Sequence, residues 1–152
     1  MQNLIAKLEI MELFSKYLLC LDERRFDTDS FAEIFTENAE VSIPSKMTTI
    51  RGCSGLKETR DIHMTLFRLV KSSHHVSNDY VFASLSDKNE EVKCNLSVYL
   101  NPFGEDDSGK LLVGTARFYA VKTDKGWRIQ KMIRKSNSFY IFAHDTKTQD
   151  AF

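Results

Sequence analysis

The apolar residues of this chain change period once, near Ser73, and that change constrains the fold more than any other feature of the sequence. Before it they recur every three to four positions. Leu4, Leu8, Met11, Phe14, Leu18 and Leu21, widened by Ile5, Ile10 and Tyr17, predict one long amphipathic helix over roughly the first twenty residues. The charged run Asp22-Glu23-Arg24-Arg25 ends it, and Asp27, Thr28, Asp29 and Ser30 offer N-caps for a short helix carrying Phe31, Ile34 and Phe35. Ala39–Ile43 alternates and stops at Pro44, which reads as a short strand, and Arg51–Gly55 leads into a third helix at about 56–70.

Beyond Ser73 the period is two. Val76–Leu85 reads as a strand, and Val92, Cys94, Leu96, Val98 and Leu100 then face one way while Lys93, Asn95, Ser97, Tyr99 and Asn101 face the other. A polar loop from Pro102 to Gly109 leads to a long strand, Leu111 to Lys122. Thr123-Asp-Lys-Gly126 joins it to Trp127–Lys135 as a hairpin, and Phe139–Phe142 reads as an extension of that last strand. Helices followed by an antiparallel meander predict an α+β domain in which helices cover one face of a curved sheet. One domain over 1–143 with a polar tail at 144–152 accounts for the whole length.

Charge and cysteine usage narrow the function classes. Lys+Arg and Asp+Glu each number 21, so no net field draws the chain to nucleic acid or to a membrane surface. Lys7, Glu9, Glu12 and Lys16 break up the apolar N-terminus, which predicts neither an export signal nor a membrane span. Cys20, Cys53 and Cys94 are too widely spaced for a CxxC pair or an even disulfide framework, so reduced thiols in a cytoplasmic setting are expected. His63, His74, His75, His144 and Cys94 show no metal-ligand spacing, and Gly52-Cys-Ser-Gly55 is not a phosphate loop, so neither metal nor cofactor is expected. Lys122, Lys125, Arg128, Lys131, Arg134 and Lys135 read as the solvated face of the closing hairpin.

Four stretches together resemble a known group. Tyr17-Leu-Leu-Cys-Leu-Asp22-Glu-Arg-Arg-Phe26-Asp27 followed by Phe31-Ala-Glu-Ile-Phe35-Thr-Glu-Asn-Ala39 is similar to the opening of the SnoaL-like, or polyketide-cyclase-like, branch of the nuclear transport factor 2-like superfamily. His74-His75-Val-Ser-Asn78 resembles the start of that group's third strand, and Gly114–Val121 with Asp124-Lys-Gly-Trp127-Arg-Ile129 resembles its closing hairpin. The resemblance spans about 15 to 135. It implies a cone: a curved, mixed, mostly antiparallel sheet wrapped around the long N-terminal helix, with two further helices and an apolar pocket at the open end. It also implies a homodimer. Members include scytalone dehydratase, dehydrochlorinases, cyclases, isomerases and non-catalytic binding modules.

In the dehydratase and dehydrochlorinase branch an Asp at the end of the first helix pairs with a His at the start of a strand, and Asp22 and His74 match those positions. A His near its ordinary pKa can take a proton at neutral pH, while a carboxylate on its other nitrogen fixes the tautomer and stabilises the imidazolium. At a helix C-terminus, facing the negative end of the dipole, Asp22 gains from a positive partner. Adjacent strand residues point to opposite faces, so His75 stands as the alternative to His74. Tyr17, about one turn before Asp22, is a further catalytic candidate. Phe14, Phe35, His75, Asn78, Cys94, Leu96, Tyr119, Trp127 and Ile129 are the expected contacts of a small hydrophobic ligand.

Two departures from the dehydratase pattern bear on activity: Leu21 stands where a Tyr precedes the Asp, and no second sheet His occurs in Val92–Leu100. On the Asp22 and His74 match the expected function is a cofactor-independent dehydratase, isomerase or cyclase acting on a cyclic or polyketide-like substrate, while the two departures point to the alternative. The alternative is a ligand-binding or accessory module of the same fold.

Overall fold

A computed structural model describes residues 2–45, 49–103 and 109–142. In these, α1 (Gln2–Asp22) and the one-turn α2 (Thr28–Ala32) precede a hairpin of β1 (Phe35–Ser45) and β2 (Thr49–Ser54). Then come α3 (Leu56–Phe67) and the meander β3 (Val70–Ser86), β4 (Asn89–Pro102), β5 (Gly109–Thr123) and β6 (Gly126–Phe142). The strands form one sheet in the order β2-β1-β6-β5-β4-β3, antiparallel except where β1 runs parallel to β6. This is the expected α+β architecture of a mixed, mostly antiparallel sheet with a long N-terminal helix and two more.

The details differ in three places. Thr49–Ser54 forms a strand where a helix approach was expected, because pairing with β1 overrides a local sequence without clear alternation. Pro44 lies within β1, but past its last described partner pair with β6, Ser42 opposite Ile133. The third helix stops at Phe67 and β3 begins at Val70, ahead of the point where alternation becomes visible. The tail expected at 144–152 lies outside the described residues.

Bulges give the sheet its bend. An extra β6 residue is accommodated between the pairs Val113–Ser138 and Gly114–Ser136, and another between Tyr119–Lys131 and Ala120–Ile129. A third irregularity in β3, between Asn78 and Val81, contains Asp79 in the left-handed region at φ 57. At the first bulge the backbones approach so closely that a Cβ on Gly114 would lie 1.8 Å from the Lys135 carbonyl oxygen, so only glycine fits.

The bent sheet and α1 share one core. Ile10, Leu13, Phe14, Tyr17, Leu18 and Leu21 are buried on α1, and the ring of Phe14 stacks on Phe118 at 4.8 Å. Along β4 the buried residues are Val92, Cys94, Leu96 and Val98, as the alternation predicts. The stripe begins later than the sequence suggested: Leu4, Ile5 and Leu8 are 50–59% exposed, and of the described apolar residues in the first two turns of α1 only Ala6 packs against the core.

Candidate functional site

The C-terminus of α1 delivers Asp22 to the start of β3. Arg24 takes a left-handed conformation, φ 61, while the Arg25 N–H bonds the Cys20 carbonyl at 2.8 Å and the Arg24 N–H bonds that of Leu21 at 3.3 Å. These bonds form a Schellman ending with arginine where glycine is usual, and the side chain compensates. Its guanidinium donates to the carbonyls of Leu21 (2.8 Å) and Val70 (3.0 Å) and to Ser73 Oγ (3.2 Å), and lies over the Phe67 ring. Arg24 thereby ties the helix end to β3 rather than pairing with Asp22 in a solvated corner.

Asp22 is held by three donors. The His75 ring Nδ1–H reaches Oδ1 at 2.6 Å, the His75 backbone N–H reaches Oδ2 at 3.0 Å, and the Ser73 hydroxyl reaches Oδ1 at 3.0 Å. Desolvation alone would raise its pKa, but the bonds from His75 and Ser73 outweigh that and hold it below the usual carboxylate range.

His75 therefore takes the place that the resemblance gives to His74. Alternation along β3 turns Ser73, His75 and Ser77 inward and His74, Val76 and Asn78 outward, so His75 is the one of the two neighbouring rings on the inner face. The His74 side chain is 72% exposed and 3.9 Å from the carboxylate, whereas that of His75 is fully buried. With Nδ1 donating to Asp22, Nε2 of a neutral His75 carries a lone pair, and this buried atom has no hydrogen-bond partner. Burial pulls the His75 pKa down to about 4; the bond to Asp22 opposes the shift and the positive Arg134 adds to it. At neutral pH the ring is uncharged and able to accept a proton.

A cavity of about 240 Å3, whose described lining includes Leu66 and Phe67 of α3, Val70, Leu96, Val98, Leu112 and Arg134 but neither Asp22 nor His75, lies next to this pair across Phe67 and Val98. His75 stands in register with Val98 on the same face, and its ring centroid is 5.7 Å from that of Phe67. Behind the cavity runs a second polar chain. Arg134 Nη1 donates to Tyr17 Oη at 2.8 Å, Tyr17 donates to His63 Nε2 at 2.8 Å, and His63 Nδ1 donates to the Thr59 carbonyl at 2.6 Å. The direction is set by its end, because a carbonyl can only accept. Burial pulls His63 down to about 3 and pushes Tyr17 up, so both are neutral beside the Arg134 cation.

Among the expected ligand contacts, Leu96 lines the cavity. Phe14, Phe35, Trp127 and Ile129 are instead packed within the core, none more than 5% exposed, because α1 fills that end of the bent sheet. Cys94 is buried opposite Ala116, its thiol pushed up to about 12 by desolvation. Asn78 is exposed, and Tyr119 lies on the outer face with Arg117 over its ring, since Phe118 takes the inward position. Tyr17 is fully buried within the polar chain rather than presented to the cavity.

Two participants escape sequence reasoning. Arg134 reads as part of a solvated face but is only 7% exposed. Its parity with the buried Met132 is the available signal, masked by the run of basic residues. His63 joins Tyr17 across 46 positions, a contact with no local signature. Among the described residues no three His, Cys, Asp or Glu side chains gather in a metal-binding arrangement, and no helix is long and apolar enough to cross a membrane.

A bent α+β sheet around one long helix, with a hydrogen-bonded Asp22–His75 pair on the sheet face that also bears the cavity, is the arrangement to be compared with known proteins. The chain belongs to the SnoaL-like domain family, whose profile matches residues 2–133. None of the curated proteins matches it by sequence. Among solved structures it is similar to a hexachlorocyclohexane dehydrochlorinase, LinA type 2 (18% identity, 95% of this chain and 93% of that one, TM-score 0.82). It is also similar to a scytalone dehydratase-like protein from Novosphingobium aromaticivorans DSM 12444 (17% identity, 95% and 92%, TM-score 0.79). A nuclear transport factor 2-like superfamily protein from Salmonella enterica serovar Typhimurium LT2 shares the fold as well (14% identity, 90% and 94%, TM-score 0.73). At these identities the likeness establishes the fold alone.

Proposed function

We propose that this protein is a cofactor-independent lyase or isomerase that removes a proton from carbon in a small, largely apolar cyclic substrate, with His75 as base and Asp22 as its orienting partner. The carrying observation is the 2.6 Å bond from His75 Nδ1 to Asp22, which leaves Nε2 buried and unpartnered on a ring adjacent to Phe67 and Val98 of the cavity wall. In the step, the C–H bond breaks and its proton goes to Nε2. The electron pair forms a carbon–carbon double bond as a leaving group departs, or moves onto an adjacent carbonyl oxygen. The imidazolium then returns the proton to that leaving group, to another carbon or to water. Because the His75 side chain is fully buried, the ligand meets Nε2 only when a lining side chain such as Phe67 swings aside.

5-Nitrobenzisoxazole tests this without knowledge of the substrate: abstraction of its C–H proton breaks the ring N–O bond and releases a coloured cyanophenolate. The expected result is turnover above buffer that falls about a hundredfold or more in His75→Gln, within the usual range for loss of a general base, and that is nearly unchanged in His74→Gln. A rate no faster than buffer, or one indifferent to His75, overturns the reading and favours a ligand-binding module.

Self-association is part of the same reading. His74, Tyr99, Leu111 and Tyr140 form a row across β3, β4, β5 and β6 on the outer face, with both tyrosines exposed. Burying such a row suits a homodimer through the sheet, which sedimentation equilibrium on the intact chain and on a Tyr99→Lys, Tyr140→Lys variant tests.

A further inference from the structure

Among the described residues Arg134 is a buried cation without a counter-ion. It is 7% exposed, its Nη1 donates to the neutral Tyr17 hydroxyl, and its Nε is buried with no partner. Among the described residues no carboxylate lies within ion-pairing distance of it, and Asp22 is committed to His75 and Ser73. Keeping a guanidinium out of water in this state is expensive, and a protein that retains one in a cavity wall has a use for an anion there. The remaining lining points the same way: among the described residues Lys110, whose ammonium lies 6.0 Å from the centre of the Phe139 ring, and the exposed Lys135 are its other charged members, and none of those described is acidic. Leu66, Phe67, Leu96, Val98, Leu100 and Leu112 make the rest of the wall mostly apolar.

We propose that the cavity binds an apolar molecule that already carries a carboxylate in its resting form, the carboxylate seated on Arg134 and the hydrocarbon body against the leucine, valine and phenylalanine wall. The guanidinium of Arg134, which lines the cavity and whose Nε–H has no hydrogen-bond partner, supplies the donors, and Tyr17, itself held by His63, fixes its plane. A volume of about 240 Å3 is below the roughly 300–1,000 Å3 of pockets for drug-sized ligands, which selects a body of one or two rings.

Binding of the carboxylate stands independently of the proton-abstraction reading, and only its effect on the base rests on that reading. Arg134 is one of the charges that depress the basicity of His75, together with Arg24 and against Asp22. A carboxylate on Arg134 cancels part of that positive field, so the substrate's own charge makes His75 a stronger base at the moment it is needed.

The test is calorimetric binding of 2-naphthoate and 2-naphthamide, matched in body and differing in charge, to the whole protein and to Arg134→Gln, Arg134→Lys and His75→Gln. The expected result is at least a tenfold preference for the acid in the natural sequence, lost in Arg134→Gln, partly kept in Arg134→Lys and intact in His75→Gln. In the natural sequence, saturation with naphthoate but not naphthamide raises the His75 pKa followed by NMR, a readout available even if the Gln variant fails to fold. Equal binding of acid and amide, or a preference that survives removal of the guanidinium, overturns the proposal. Turnover of 5-nitrobenzisoxazole through His75 without an acid preference overturns the carboxylate site and leaves the catalytic reading standing. An acid preference without His75-dependent turnover supports the carboxylate site and overturns the catalytic reading.

Discussion

Mild acid should destabilise this fold well before its carboxylates are protonated. His63 and His75 are both buried and neutral, with pKa values lowered to about 3 and about 4, whereas in the unfolded chain each returns to about 6.5. A depressed folded pKa contributes stability that is fully present above the unfolded value and is lost as pH falls toward the folded one. Between pH 7 and pH 5 the two histidines of the unfolded chain gain about 1.5 protons that the folded ones refuse, which costs about 2 kcal/mol for each histidine and about 4 kcal/mol together. That is a large part of the roughly 5–15 kcal/mol that stabilises an ordinary domain. Asp22, whose pKa is also lowered in the folded protein, adds its loss only below this window. Urea unfolding followed by circular dichroism at pH 7, 6 and 5 measures the effect, and His63→Gln should remove about half of the pH dependence. A stability that changes by less than about 1 kcal/mol between pH 7 and 5 would refute the placement of both rings in dry surroundings.

Tyr17→Phe leaves Arg134 Nη1 and His63 Nε2 without their shared partner and should cost about 2–5 kcal/mol of unfolding free energy, read from urea midpoints. Gly114→Ala drives a methyl into the Lys135 carbonyl at the bulge and should destabilise by about 2 kcal/mol or more in thermal unfolding, where most surface glycine-to-alanine changes are nearly neutral. With a neutral probe such as 5-nitrobenzisoxazole, kcat/KM should be flat at neutral pH and fall as pH drops through about 4, because only the unprotonated base works. Phe67→Ala should raise the second-order rate with this probe by opening the path to His75, and an unchanged rate would place the approach elsewhere.

Much of the fold was legible because it rests on period. The alternation from Val92 to Leu100 marks both the strand and its inner face, and the change of period separates helices from meander. The helix carrying Asp22 was readable for the same reason. What escaped depends on contacts distant in sequence or on local shifts of register. Thr49–Ser54 becomes a strand only through β1. The choice of His75 over His74 depends on where β3 begins, and an irregularity between Val70 and Ser72 lies just upstream. Arg134 carries inward parity and an outward-looking residue type, and it is placed inward by the strand and bonded to Tyr17 across 117 positions, a contact with no local signature.

The measurement that bears most directly on the central claim is the protonation of the two His75 ring nitrogens at neutral pH, read by long-range nitrogen–proton correlation NMR. The expected result is a neutral ring with the proton on Nδ1, a strongly shifted Nδ1 proton that disappears in Asp22→Asn, and an unprotonated Nε2. A proton on Nε2, or a charged ring, would contradict it, because His75 would then have no lone pair with which to take a proton from any substrate.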